Sequence, residues 1–303
     1  MPATSVSFVI NSFNYAEFVC RAVESAIGQD YPQKLIEIVV VDDGSSDDTR
    51  ARLVPYAKRV RYIHKTNGGQ GSAFNLGFRE ASGDVLCMLD ADDEALPQRA
   101  QNVVRQFQES DHCVAVYNRF ILEDVASGQA TGPHPRRLNT EGLRERVQVW
   151  RGSGVPSSCI SLRSSIARKI IVPEATFRIC ADSYLLSVLP LLGRVSHVDD
   201  ALTVYRLHGG NRYLSQPRDA RRQMLETRMS AIARDMREIY RAEPYMAPLE
   251  VPLHARQRDL KGCLSALAYG FRDIWKRQIS MNIKLKESVK LPLYALEGLR
   301  RPA

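Results

Sequence analysis

Val85-Leu86-Cys87-Met88-Leu89-Asp90-Ala91-Asp92-Asp93 sets five apolar residues directly before a run that holds three acids. An unbroken apolar run of this length predicts a strand, Asp84 to Leu89, buried on both faces, with its acids at the carboxyl end. The same texture occurs upstream. Leu35-Ile-Glu-Ile-Val-Val-Val41 ends at Asp42-Asp43-Gly44-Ser45, and Ser5-Val-Ser-Phe-Val-Ile10 ends at Asn11-Ser12-Phe13-Asn14-Tyr15. A further strand is predicted at Val60–His64. Helical spacing intervenes at Glu17–Ala26, through Tyr56, up to Ala81 and from Pro97 to Glu109, and another strand follows at Cys113–Phe120. Strands alternating with helices predict an α/β fold with a mostly parallel, doubly wound sheet. In such sheets ligands bind beyond the carboxyl ends of the strands, where the strand order reverses. Each polar cluster falls there, so separate loops are expected to face one crevice.

The residue types suggest what the crevice can do. Asp90 and Asp92, one residue apart at a strand end, can offer oxygens to a hard cation such as Mg²⁺ or Mn²⁺. They could equally cap the helix after Pro97. Asp42 and Asp43 can accept hydrogen bonds from a base ring N–H or a ribose hydroxyl, or start a helix near Thr49. Ile10, Asn11, Ser12 and Asn14 can present backbone groups to a base. The loop Lys65-Thr66-Asn67-Gly68-Gly69-Gln70-Gly71 is rich in glycine, and its N–H groups could approach phosphate or ribose.

Composition narrows the class. The chain has 303 residues and a formal net charge of +8. Residues 217–303 hold 18 Lys/Arg and 10 Asp/Glu, so the whole excess lies there and residues 1–216 are neutral. That distribution argues against nucleic acid and suits a basic appendage. Within it, Phe271 to Leu299 interleaves Lys/Arg with Ile, Leu, Val and Trp, a pattern expected of a helix on an anionic membrane surface, or of a packed or oligomer-forming appendage. Leu225, Met229, Ile232, Met236 and Ile239 form one helical stripe; Leu260, Leu264, Leu267, Phe271 and Ile274 form another. No apolar run approaches the about 18 residues needed to cross a bilayer. The six cysteines are scattered. A cytoplasmic chain with reduced thiols is expected, with the inner face of the cytoplasmic membrane as a docking place. Residues 124–154 read as loop and lid material with a short helix near Glu141–Trp150.

In order and spacing, Ser7–Asn14, Val41–Thr49, Asn67–Gly77 and Gly83–Asp93 resemble the donor domain of glycosyltransferase family 2, which has the GT-A fold. The resemblance extends through Ser157-Ser158, Cys159–Leu162, Phe177–Leu185 and Tyr205-Arg206-Leu207-His208-Gly209-Gly210-Asn211. It implies a GT-A domain over 1–216, with a donor half (1–123) and an acceptor half (124–216), followed by a helical region at 217–303. It implies an inverting transfer from a nucleoside-diphosphate sugar, with UDP the expected carrier. The acceptor would be a saccharide or lipid-linked hydroxyl of cell-surface polysaccharide or glycolipid. Asp182 matches the catalytic base. Asp92, with Asp90 and His208, matches the metal site, for Mn²⁺ or Mg²⁺. Arg206 and His208 match residues that hold diphosphate, Asp42 and Asp43 the nucleoside, and Ala91 lies within the donor segment. Two positions depart from the family: Asn11 stands where proline is usual, and Ala181 where an acid usually precedes the base. Two other readings compete. A nucleotidyltransferase would carry a basic, Gly-rich loop after the first strand, which Asn11–Tyr15 lacks; a non-catalytic binding relative is made conceivable by Ala181.

Overall fold

The computed structural model describes residues 3–147, 154–213 and 215–242, with isolated residues between 244 and 291. They form two compact units, residues 1–140 with 153–218, and residues 141–152 with 219–303.

Among the described residues, the first unit is built on a nine-stranded sheet. Its first half contains β1 (Val6–Ser12), β2 (Ile36–Asp42), β3 (Arg61–His64) and β4 (Val85–Asp90), in the order β3-β2-β1-β4, all parallel. β1 lies between β2 and β4, so the order reverses at β1. The register aligns Ser12 with Asp42 and Asn11 with Asp90, bringing three polar strand ends to one edge. Val6, Phe8, Ile10, Ile38, Val40 and Leu89 are fully or almost fully buried, as the apolar runs require.

Helices cover the sheet through residues at helical spacing. α1 (Val19–Ile27) buries Val19, Ala22, Val23 and Ala26. Short α2 (Thr49–Leu53) follows β2, and α3 (Gln70–Glu80) buries Ala73, Phe74 and Phe78. Gly77 brings α3 onto β1, since a Cβ there would sit 2.4 Å from Val9 Cγ1. α4 (Arg99–Gln108) buries Ala100, Val103, Val104 and Phe107. No side chain caps its N-terminus, so the acids at 90–93 do not serve as its cap.

The second half departs from a purely parallel plan. Short β5 (Glu94–Ala95), β6 (Cys113–Asp124), β7 (Ala130–His134), β8 (Ile160–Arg163) and β9 (Arg194–Leu207) complete the sheet. β8 inserts between β4 and β6, antiparallel to both, while β9 runs parallel to β6. The loop expected from Asp124 onward begins as a hairpin: β6 runs to Asp124, and β7 pairs with it. The turn is closed by Gly128 N–H donating to Asp124 O and Ser127 N–H to Asp124 Oδ1. The half-exposed stretch Arg119–Asp124 is held as a strand by β9 alongside it. α6 (Ser164–Ala167) and α7 (Asp182–Leu192) finish this unit.

In the second unit, α5 (Leu143–Val147) falls within the expected short helix, and α8 (Arg218–Glu238) carries the first stripe as far as Met236, with Ile239 in the turn after it. Ile232 and Met236 are buried, but Leu225 and Ile239 are exposed. Most of the second stripe and of the basic stretch 271–299 lies outside the described residues. No described helix is long and apolar enough to cross a membrane.

Candidate active site

The strand ends meet in a cleft of ≈ 180 Å³ whose lining includes Asn11, Ser12, Asp43, Asp90, Asp92 and Asp182. Asp90, Asp92 and Asp93 each bring one carboxylate oxygen within 4.8 Å of the others. The Ser157-Ser158 pair secures this cluster. Ser157 Oγ donates to Asp90 Oδ2, and Ser158 Oγ donates to Asp93 Oδ2 at 2.5 Å while accepting from Asp90 N–H at 2.9 Å. Asp93 Oδ1 also accepts from Arg206 N–H. Burial, followed by the charge of Asp92, pushes the Asp90 carboxyl up to about 7; burial and the same neighbours raise Asp93 well above the usual range. Three acids this close and this buried repel one another without a counter-cation. Asp90 lines the cleft, and its Oδ1 is buried with no hydrogen-bond partner among the described residues. This donor set of hard oxygens, one of them orphaned, fits Mg²⁺ or Mn²⁺.

Asp92 is held from the other side. Its Oδ2 lies 3.0 Å from His208 Nε2 and accepts from Asn211 Nδ2 at 3.3 Å. Gly210 N–H donates to His208 Nδ1, which leaves the neutral ring's proton on Nε2, facing Asp92. The imidazole also packs 4.4 Å from the Phe18 ring. In this arrangement His208 orients Asp92. For Nε2 to ligate a cation, its proton must leave and the Gly210 contact must break.

Several expected residues have other work. Asp43 lines the cleft, but its carboxylate accepts from Lys65 Nζ, Gly68 N–H and Gly69 N–H at 2.7–2.8 Å. The loop N–H groups expected to meet phosphate therefore turn inward: Gly68 to Asp43, Gln70 to Arg178 O and Gly71 to Phe177 O. Asn67 Nδ2 donates to Asp43 O, and its Oδ1 accepts from Arg178. Asn67, Gly68 and Gly71 thus lie behind the cleft wall rather than on it. Asp42, 1% exposed, accepts from Ser45 N–H and Tyr62 O–H and holds the β2–α2 turn. Asn14, at φ 56°, accepts from Ser46 N–H and ties that turn to the end of β1. Ile10 sits in the core between β2 and β4, and Ala91 is buried with its N–H donating to Asn11 O. Arg206 is 1% exposed and paired with Glu94 and Glu123. Asp42, Asn14, Ile10, Ala91 and Arg206 do not line the cleft.

The glycines of the loop gain a different explanation. At Gly69, φ +90°, a Cβ would sit 2.4 Å from Arg178 Cα; at Gly71 it would meet Phe177 O at 3.0 Å. The loop is a seat for Phe177–Arg178, the strand of chain that leads into α7. Gln70 Oε1 accepts from Ala181 N–H, one residue before Asp182. Asp182 opens α7 and faces the cleft from the first turn of that helix. Ala181, which precedes it, is fully buried.

Sequence reading missed Phe13, Tyr15, Gln70, Arg178, Tyr205 and Arg212, which also line the cleft. Arg212 lies over the Phe13 ring at 4.5 Å. Burial, followed by Asp92 and Asp90, raises the Tyr15 phenol and keeps it protonated. Phe13 and Tyr15 stand in the quoted run after β1, where position alone could have flagged them. Arg178 and Arg212 carry no local signal.

The sequence model of the family described as Glycosyl transferase family 2 matches residues 7–171. An uncharacterized glycosyltransferase of Nostoc sp. is 32% identical over 221 residues, 69% of this chain and 67% of that protein. One of Rickettsia prowazekii is 36% identical over 125 residues, 40% of this chain and 38% of its own length. Among solved structures, S. aureus TarS 1–349 in complex with UDP-GlcNAc matches with a TM-score of 0.64 at 15% identity, covering 98% of this chain and 89% of that one. The mannosyltransferase PcManGT from Pyrobaculum calidifontis, in complex with GDP-Man and Mn²⁺, matches at 0.57 and 17%, covering 98% and 88%. At such identities the structural likeness is one of fold.

Proposed function

The chain belongs to glycosyl transferase family 2, and from that premise we propose that it moves a sugar from a nucleoside-diphosphate sugar to a hydroxyl acceptor, with inversion. The observation that carries this reading is the cleft itself: an acidic cluster with an orphaned Asp90 oxygen and the Asp182 carboxylate line one hollow at the sheet's switch point. Asp90 and Asp92 would hold Mg²⁺ or Mn²⁺, with His208 in reach. A bound cation would neutralise charge on the departing diphosphate. The TarS and PcManGT structures are complexes with UDP-GlcNAc and with GDP-Man, and UDP is the carrier proposed for this chain.

The chain's own groups do the rest. Asn11 and Ser12 line the cleft, and their Oδ1 and Oγ, without partners among the described residues, would turn to receive the donors of the nucleoside. Phe13 and Tyr15 would exclude water from it. Asp182 would take the proton of the acceptor hydroxyl as that oxygen attacks the anomeric carbon and the nucleoside diphosphate leaves from the opposite face. A saccharide or lipid-linked acceptor, docking of the basic stretch 271–299 on an anionic membrane, and self-association belong to the same proposal.

The test pairs binding with turnover. UDP or UDP-GlcNAc with Mn²⁺ should raise the melting temperature of the parent and of Asp182→Asn alike, by about 2.7 kcal/mol of linkage at a hundredfold excess over Kd. Donor turnover should fall by about 10²–10⁴ in the variant, the usual worth of a positioned base. Equal turnover in both proteins removes Asp182 from the mechanism, and absence of any nucleotide shift, with GDP and GDP-Man included, removes the donor reading.

A further inference from the structure

A second hollow, of ≈ 360 Å³, also reaches Asp182. Pro156, Asp182 and Tyr205 line both hollows, so the two meet at that carboxylate. Their chemistry differs. The first is lined by acids and by two arginines, Arg178 and Arg212. In the second, Asp182 is the one charged side chain among the lining residues, and Phe120, Val155, Pro156, Leu186 and Tyr205 make its wall. Three rings run in a row beside it: Tyr205 to Phe120 at 5.7 Å and Phe120 to His134 at 5.7 Å between centroids. Two hydroxyls interrupt the apolar wall, those of Tyr205 and Ser183. Burial and the acids behind it keep the Tyr205 phenol protonated and able to donate.

Resting on the transferase reading above, we propose that this second hollow is the acceptor subsite and that it takes a neutral pyranose ring. The C–H face of the ring would lie against Tyr205 and Phe120, and one of its hydroxyls would point at Asp182. A pyranose presents an apolar face and a polar rim, which matches aromatic rings beside a carboxylate and two hydroxyls. An anionic polyol phosphate would find no cation among the lining residues. The Ser183 hydroxyl already donates to Cys180 O, but an acyl chain would leave the Tyr205 hydroxyl facing hydrocarbon, a cost that a sugar hydroxyl removes.

The experiment uses the full chain with UDP and Mg²⁺, and the probes are methyl glucoside, methyl galactoside and methyl mannoside, with glycerol 3-phosphate and octanol as contrasts. Saturation-transfer NMR should mark the ring protons of at least one methyl pyranoside. Leu186→Arg, which places a long cation in the groove, and Phe120→Ala, which removes one ring, should each weaken that signal by about tenfold. Both variants should keep the parent's thermal shift with nucleotide and Mg²⁺, which shows that they fold and that the donor cleft is intact. No pyranoside signal in the parent, a signal unchanged in both variants, or binding of only glycerol phosphate or octanol overturns the assignment. Failure of the donor reading would appear separately, as a missing nucleotide shift in the parent.

Discussion

Arg206 was expected on the diphosphate and is instead a buried hinge-pin between β9 and the acidic turn. Its guanidinium pairs with Glu94 and, at 2.9 Å, with Glu123, while its N–H donates to Asp93. Burial lowers its pKa to about 10, which still leaves it charged at neutral pH. Replacing it strands two acids beside the metal-type cluster. Arg206→Met is therefore expected to cost about 3 kcal/mol, the scale for breaking a buried ion pair. A urea unfolding curve checks this; a midpoint within error of the parent would show that the pairs contribute nothing. Asp43 teaches the same lesson. Its position after a strand marks it as an acid of the cleft, but the donors that fill it arrive from residues 65 to 69. Those partners could not be read from the residues next to it.

At the scale of elements, the loop before α3 couples the two halves of the sheet domain. It anchors on Asp43 at one end and receives Phe177–Arg178 at the other. Gly69 permits this by a positive φ and by the absence of a Cβ. Gly69→Ala would meet Arg178 backbone, so it is expected to destabilise by about 1–3 kcal/mol, as strained backbone positions do. It should also displace the approach to Asp182, so turnover should fall more than nucleotide binding does. Measuring both on one preparation decides the matter, and equal losses would mean that the loop supports only the fold. The strands and helices of the donor half were legible because each announces itself by its own periodicity. β7 was not, because Ala130–His134 has no apolar alternation, is largely exposed and is held by its neighbour β6.

For the whole molecule, acid stability is set partly where β1 and β4 begin. Asp84 accepts from Ser5 N–H at 2.8 Å and Ser5 Oγ at 2.7 Å, and these bonds hold its carboxyl below the usual range. A depressed folded-state pKa means that the unfolded chain binds the proton more tightly. The stabilisation is present above the ordinary carboxylate pKa of about 4 and is lost as pH falls through the lower, folded value. Asp84 is exposed, so the gain is below about 1 kcal/mol. Asp84→Asn should lower stability at pH 7 slightly and flatten its decline between about pH 4 and pH 2. Unfolding free energies of the two proteins across that range are the measurement, and parallel curves would exclude the contribution.

The apolar runs ending in acids were enough to specify buried strands, their order of appearance and a ligand-facing edge, because side-chain alternation and burial depend on nearest neighbours along the chain. The ordered motifs named the family for the same reason. The assembly of the cleft required folding. Ser157 meets Asp90 across 67 residues, and Arg206 and His208 reach the acidic turn across 113 and 116. Which acid is left open to a ligand and which is neutralised by a neighbour depends on donors that only packing brings within about 3 Å. No local pattern of residues encodes those distances.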